Sequence, residues 1–212
     1  MPPALPQVWI ITDPNDARGP VAAIAEALAD CPAGRVGVQL RAKGASGRQL
    51  EAWGHHLREV TTASANPFVV NGRIDIALIV KADGVHLPEN GIPAPRIRRT
   101  WPQLSLIGES KHDADGLMAA GRDEAIYAFL SPVFDVPEKG TPMGVDDFRS
   151  ARTRVALPVF ALGGIKPDNV AALAAAGAAG VAVQRAVYNA QDPAKVVRDL
   201  LDEFDKGAAN VE

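Results

Sequence analysis

Two polar residues with alternating spacing stand out in the segment VGVQLRAK. Gln39 and Arg41 are two positions apart, so in an extended strand both side chains lie on one face, and Lys43 follows them. If that face is buried, the amide and the guanidinium need hydrogen-bond partners. These partners are either a ligand, which would make the two residues functional, or other groups of the protein, which would make them a structural pair. A small anionic ligand requires only a few such local cations.

The segment IGESKH repeats this spacing with Ser110 and His112. An imidazole has an unperturbed pKa close to physiological pH, so His112 is a candidate acid or base for proton transfer. His86, in the apolar segment GVHL, is either a packing histidine or a site residue, and the pattern leaves both open.

A third candidate is the pair Gly163–Gly164, which follows an apolar run and precedes a helical pattern that begins near Pro167. Glycines at such a turn let a phosphate approach backbone N–H groups at the start of the helix. Gln184 and Arg185 close the next apolar run, and a guanidinium there would add a charged fork to the same anion. The alternative for the glycine pair is an ordinary tight turn.

The elements that must position these residues are short apolar runs in strict alternation with helical patterns. The runs span residues 8–12, 35–41, 67–71, 84–87, 105–110, 125–134, 158–164 and 180–186. Several are continuous and rich in Val and Ile, which is typical of strands buried on both faces. Clear helical stretches are 21–31, 48–60 and 167–177.

Eight such units in 212 residues predict a single (β/α)8 TIM barrel. An open doubly wound sheet is the alternative, but its G-x-G-x-x-G signature is missing after the first strand. We assign residues 1–212 to one domain, with a core of about 8–205 and a tail, 206–212, that is expected to fray.

In a barrel the active site lies at the C-terminal ends of the strands, so the polar residues that close each run are the candidates. Beyond those already named, they are Asn71, Arg73, Glu89, Glu109, Ser131, Asp135, Glu138 and Lys139.

Composition excludes several classes of protein. The net charge is −3 with acids and bases interspersed, which argues against a nucleic-acid partner. The single cysteine, Cys31, rules out an internal disulfide or a thiolate metal cluster. There is no signal-peptide pattern and no apolar stretch approaching 18 residues, so we expect a cytoplasmic protein without a membrane partner. A homo-oligomer is compatible with the sequence.

Six segments, in sequence order, resemble motifs of the thiamine-phosphate synthase/TenI superfamily. They are VQLRAK, VNGRIDIAL, ADGVHLPENGIP, IGESKH, SPVFDVPEKG and ALGGIKPDNV. The similarity runs from about residue 8 to residue 205, and it implies a barrel whose mouth binds a small phosphorylated heteroaromatic compound.

The resemblance also implies roles for individual residues. Residues that would fall on the pyrophosphate-binding positions of the synthase are Gln39, Arg41, Lys43, Asn71 and Lys139. Ser110 would match a serine near the pyrimidine and the phosphates, and Gly163–Gly164 would match the turn that holds the thiazole phosphate. His112 matches a histidine that TenI-type thiazole tautomerases place for acid–base work.

The chain departs from the synthase pattern at several positions. Where the resemblance implies two aspartates that hold Mg²⁺, this sequence has Gly72 and Gly91. Val136 and Glu138 replace a threonine pair, Ala42 replaces a glutamate, and Arg185 replaces a serine or threonine. Losing both metal carboxylates removes electrostatic stabilisation of a departing pyrophosphate, which is usually a large catalytic contribution.

We therefore expect an enzyme of the thiazole branch of thiamine metabolism that acts as a TenI-like, metal-independent thiazole tautomerase. His112 would be its acid/base, Ser110 and Gln39 would orient the ring, and no cofactor would be needed. The alternatives are a thiamine-phosphate synthase whose Mg²⁺ site is rebuilt at Glu89 or Asn90, and a non-catalytic binding or sensing homologue.

Overall fold

Eight parallel strands, paired in chain order and closed between the last and the first, form a (β/α)8 barrel, as the sequence predicts. The computed structural model describes residues 5–137 and 139–210. The strands are β1 (Val8–Ile11), β2 (Val36–Leu40), β3 (Phe68–Asn71), β4 (Gly84–Leu87), β5 (Leu106–Lys111), β6 (Tyr127–Leu130), β7 (Val159–Leu162) and β8 (Gly180–Val183).

Helices follow the strands and cover the outside of the barrel. They are α1 (Ala22–Leu28), α2 (Gly47–Ala63), α3 (Ile74–Ile79), α4 (Ala94–Thr100), α5 (Ala114–Arg122), α6 (Gly144–Arg152), α7 (Pro167–Ala175), α8 (Arg185–Tyr188) and α9 (Pro193–Ala209). None of the helices in the described residues is both long and apolar enough to span a bilayer.

Every apolar run contains a strand, but the longer runs overshoot their strands at the C-terminal end. The run 125–134 continues past Leu130, where β6 ends before Pro132, which has no N–H to donate to a strand ladder. The run 158–164 continues past Leu162, where β7 ends, because Gly163 takes a φ of 101°, outside the strand region.

Large aromatic rings fill the barrel interior. Trp9 stacks on Tyr127 with ring centroids 5.2 Å apart, and Phe129 and Phe160 meet edge to face at 6.0 Å. Glycine makes room for one of these rings, because a Cβ at Gly108 would lie 2.2 Å from Cζ of Tyr127. Close packing of this kind makes the interior a solid core, with its open end at the C-terminal ends of the strands.

The expected frayed tail is wrong for residues 206–209, which belong to α9. Phe204 and Gly207 are buried, and α9 packs closely on α7, since a Cβ at Gly207 would lie 2.2 Å from the carbonyl oxygen of Ala171. Burial of this helix face therefore orders the chain to the end of α9. Residues 211 and 212 lie outside the described part of the chain.

The substitution Gly108→Ala should destabilise the protein, because its methyl group would overlap the buried ring of Tyr127. We expect the free energy of unfolding in urea to fall by about 1–3 kcal/mol. Gly121→Ala in α5 is the matched control, since its nearest neighbour would be Cγ1 of Val155 at 4.0 Å. The control should be neutral or slightly stabilising, as expected for alanine in a helix. Equal stability of Gly108→Ala and the wild type would contradict this account of the interior.

Candidate functional site

Gln39 and Asn71 lie inside the C-terminal end of the barrel. Gln39 is 1% exposed and pairs in register with Ile11 and Val69, both members of the interior cluster. Its Nε2 donates a 3.0 Å hydrogen bond to Oδ1 of Asn71, while its Oε1 is buried and has no partner among the described residues. A buried acceptor of this kind is available to a hydrogen-bond donor of a ligand.

Four cations gather at the barrel mouth. The backbone of Arg41 is fixed by Thr12, whose Oγ1 accepts a 2.8 Å hydrogen bond from the N–H of Arg41 and donates a 3.0 Å bond to its carbonyl. Although the Lys139 side chain is solvent-exposed at the rim, its pKa is lowered, chiefly by desolvation and further by the charges of Arg41, Lys43 and Arg185.

Side chains from the segment after β2, from the loop after β6 and from the end of β8 are thus close enough for their charges to interact. Within residues 5–137 and 139–210, none of the four cations forms an ion pair with a carboxylate. Burial also lowers the pKa of Arg41, though arginine remains charged at any physiological pH. The mouth therefore suits a polyanionic ligand.

Beside these cations is a cavity of about 850 Å³ whose lining includes most of the residues predicted to bind phosphate. They are Lys139, Gly163, Gly164, Gln184 and Arg185. Lys166, Asp135 and Val136 line it as well, so the cavity carries one described carboxylate. Glu138, which the sequence analysis also placed in this loop, lies outside the described residues.

Both glycines of the turn after β7 are required by the backbone and by packing. Gly163 and Gly164 have φ values of 101° and 65°, and Cβ atoms there would lie 2.9 Å from Cα of Pro132 and 2.7 Å from Cβ of Phe134. The turn thus packs tightly against the loop after β6, and one face of it borders the cavity.

Gln184 has a structural contact that the sequence analysis missed. Its Nε2 donates a 3.0 Å hydrogen bond to the carbonyl oxygen of Thr12, which joins the end of β8 to the end of β1 where the barrel closes. This amide donor is therefore occupied in the described structure, whereas the neighbouring Arg185 is exposed and borders the cavity.

Ser110 is half-buried and contacts a fully buried histidine. Its Oγ lies 2.9 Å from Nε2 of His86, and Nδ1 of His86 lies 3.3 Å from the hydroxyl oxygen of Tyr127. Burial and, to a smaller extent, the charge of Arg41 lower the pKa of His86 to about 3, so the imidazole is neutral at physiological pH. His86 is thus both a packing residue, 4.1 Å from the Phe129 ring, and a contact of a candidate site residue.

The sequence did not identify Tyr127 as a candidate site residue, because it lies within the apolar run 125–134 and has the pattern of a packing residue. The only available signal was its place two residues before Phe129, on the interior face of β6.

His112 lies on the rim rather than deep in the mouth. Its Nδ1–H donates a 2.7 Å hydrogen bond to the carbonyl oxygen of Ser131, and its Nε2 lies 3.8 Å from Oε2 of Glu89. These contacts tie together the loops that follow β4, β5 and β6.

The described residues do not fit a Mg²⁺ ion held by protein carboxylates. Gly72 and Gly91, which stand where the resemblance implies aspartates, line a separate cavity of about 450 Å³ together with Asn90 and Arg96. The N–H of Gly91 donates a 2.8 Å hydrogen bond to the carbonyl oxygen of Pro88, which closes a tight turn.

The possible replacement ligands do not restore the site. Glu89 faces His112, and the part of the chain that the structure describes holds no group of three or more His, Cys, Asp or Glu side chains arranged for a metal. At Glu89 or Asn90 the protein would offer at most one carboxylate and one amide oxygen, so the other ligands of a Mg²⁺ ion would have to come from substrate phosphates and water.

Comparisons with known proteins place this geometry in a family. The family model of thiamine monophosphate synthase matches residues 8–187. The thiamine-phosphate synthase of Moorella thermoacetica is 38% identical over 170 residues, covering 79% of this chain and 81% of the relative. The putative thiamine-phosphate synthase of Geobacter sulfurreducens is 39% identical over 199 residues, covering 92% of each.

A solved structure agrees with these relatives. The thiamine phosphate pyrophosphorylase of Pyrococcus furiosus superposes with a TM-score of 0.85 at 31% identity, covering 95% of this chain and 96% of the other.

These findings overturn the expectation of a TenI-like tautomerase with His112 as its acid/base. The relatives and the structural neighbour carry the names of synthases and of a pyrophosphorylase, which support the synthase alternative. They are enzymes, which supports the expectation that this chain is one. The family model spans most of the chain, and relatives at 38% and 39% identity extend over at least 79% of it. The chain belongs to the thiamine monophosphate synthase family.

Proposed function

We propose that this protein is a thiamine-phosphate synthase, a transferase that joins a pyrimidine pyrophosphate to a thiazole phosphate. Joining the two releases pyrophosphate, which departs with the electron pair of the broken carbon–oxygen bond. The observation that carries the proposal is the arrangement of two anion-binding regions in one mouth. Lys139 and Arg185 line the cavity that Gly163 and Gly164 border, and the charges of Arg41 and Lys43 reach Lys139 from the other side, so two phosphorylated substrates can meet there.

The cations on one side of the mouth suit the leaving pyrophosphate. Arg41, Lys43 and Lys139 present positive charge to a group whose own negative charge increases as its bond breaks. Preorganised charges aimed at developing charge are usually the largest contribution to a rate enhancement. Thr12 fixes the backbone of Arg41 before any substrate binds, so the point from which this side chain extends is set by the closed barrel.

The polar groups deeper in the mouth suit the pyrimidine ring. Gln39 offers an unpartnered buried Oε1 that can accept a hydrogen bond from an N–H group of the ring. Asn71, which accepts the hydrogen bond from Gln39, keeps that amide in one orientation. The thiazole phosphate would lie in the 850 Å³ cavity, where Arg185 and the turn after β7 are available to its phosphate.

We further propose that this chain balances the charge of the pyrophosphate with side chains rather than with Mg²⁺. The positions implied for metal carboxylates are glycines, whereas Arg185 adds a cation where the resemblance implies a neutral hydroxyl. Arg41, Lys43 and Lys139 would supply positive charge to the pyrophosphate directly, and Arg185 would add to the positive potential of the mouth from the side of the thiazole phosphate. The ground for this proposal is the set of donor side chains around the mouth.

The direct test is synthesis of thiamine phosphate from pyrimidine pyrophosphate and thiazole phosphate, measured by chromatography in buffers with EDTA or with Mg²⁺. We expect product and released pyrophosphate in both buffers, at rates within about threefold, because the side chains already supply the positive charge. A tenfold loss of rate in EDTA would correspond to about 1.4 kcal/mol of transition-state stabilisation that Mg²⁺ provides. Product only with Mg²⁺ would overturn the charge-balance proposal. No product in either buffer, from protein shown to be folded, would overturn the synthase proposal itself.

Two substitutions separate the proposed subsites. Lys139→Ala should lower kcat by about 100-fold, because it removes charge from the leaving group. Arg185→Ala should chiefly raise the KM for thiazole phosphate, by about tenfold, the usual cost of one charge-assisted hydrogen bond. Lys195→Ala on α9 is the control, since among the described residues this exposed side chain pairs with Asp199 of the same helix, and its loss should not affect either constant. Identical effects of the Lys139 and Arg185 variants on both constants would contradict this division.

A further inference from the structure

Three hydrogen-bonding groups form a chain from the barrel interior to its mouth. Tyr127 and His86 are both fully buried, and Ser110 is half-buried at the end of β5. The hydroxyl oxygen of Tyr127 lies 3.3 Å from Nδ1 of His86, and Nε2 of His86 lies 2.9 Å from Oγ of Ser110. The three residues come from the neighbouring strands β6, β4 and β5.

Packing fixes the two rings in this arrangement. Trp9 stacks on Tyr127, and Phe129 lies 4.1 Å from the imidazole, centroid to centroid. Tyr127 reaches His86 only because residue 108 lacks a side chain, since a Cβ there would lie 2.6 Å from the tyrosine hydroxyl oxygen. The two rings therefore cannot turn away from each other without disturbing the core.

The direction of the hydrogen bonds follows from the proton of Tyr127. Burial raises the pKa of this phenol, so the O–H group is neutral and must donate. Among the described residues, its hydrogen-bond partner is Nδ1 of His86. If His86 donated from Nδ1 instead, the phenolic proton would be buried without an acceptor, which is costly.

Nδ1 of His86 is therefore an acceptor, and a neutral imidazole then carries its proton on Nε2. That N–H donates to Oγ of Ser110. Because Oγ of Ser110 already accepts a hydrogen bond from His86 in the barrel interior, the hydroxyl proton of Ser110 is free to point toward the mouth.

We propose that Tyr127 and His86 are positioning residues that orient Ser110 as a hydrogen-bond donor toward an acceptor atom of the substrate. Such an acceptor is a phosphate oxygen or an unprotonated ring nitrogen. The direction of the chain is a property of the protein alone, and only the identity of the substrate rests on the synthase function proposed above.

The first test is ¹⁵N NMR of the imidazole groups in histidine-labelled protein. We expect His86 to carry its proton on Nε2, with Nδ1 unprotonated and hydrogen-bonded. In Tyr127→Phe, the Nδ1 resonance should move downfield, because it loses its donor. A proton on Nδ1 in the wild type would overturn the proposal, and so would an Nδ1 chemical shift that is the same in Tyr127→Phe as in the wild type. Both outcomes are independent of whether the protein makes thiamine phosphate.

The second test is a double-mutant cycle on kcat/KM for thiamine phosphate synthesis. Ser110→Ala and His86→Leu should each lower kcat/KM by about tenfold or more, and the double variant should lose little beyond either single one. His86→Gln should recover most of the loss, because its amide N–H can replace Nε2–H. Additive losses, or a His86→Gln variant as slow as a folded His86→Leu variant, would overturn the positioning role. Absence of turnover in the wild type would instead refute the synthase proposal and leave the NMR result standing.

Discussion

Four positive side chains meet at the mouth of the barrel, and the fold holds them there against their mutual repulsion. The pKa of Lys139 is lowered chiefly by desolvation and further by the charges of Arg41, Lys43 and Arg185. Loops alone would relax by spreading the charges apart. Here Arg41 is anchored through Thr12, and Gln184 ties the end of β8 to the same residue, so the scaffold on two sides of the mouth is fixed. An anion bound in this mouth would relieve the repulsion, and part of its binding energy would come from that relief.

The barrel and the general location of the site could be predicted from the sequence, because both depend on patterns that are local in the chain. Eight buried strands and their alternation with helices are visible as runs of apolar residues. Once a barrel is assumed, polar residues at the ends of those runs must lie at one rim. Gln39, Arg41 and Ser110 were found in this way, and the structure places all three at that end of the barrel.

The contacts that connect those residues could not be predicted, because they depend on the register between strands. Nothing in the run around Tyr127 shows that it faces His86 across β5, or that Gly108 is the residue that permits it. Thr12 and Gln184 meet from opposite ends of the chain for the same reason. The choice of reaction was wrong for a different reason. The absence of the two aspartates indicates only that they do not help to neutralise the charge of a phosphorylated substrate. It carries no information about which bond the enzyme forms.

The turn at Pro88–Gly91 makes the two glycine positions of the mouth unequal in their capacity for a side chain. At position 72, a φ of 65° is one that aspartate tolerates, and a Cβ would rest 3.5 Å from Pro88, so a carboxylate fits there without a change of backbone. At position 91, a Cβ would lie 2.9 Å from the carbonyl oxygen of Pro88, so the loop must be rebuilt before any side chain can be added. A pair of carboxylates at positions 72 and 91 is therefore compatible with this chain only after the loop between β4 and α4 takes another path.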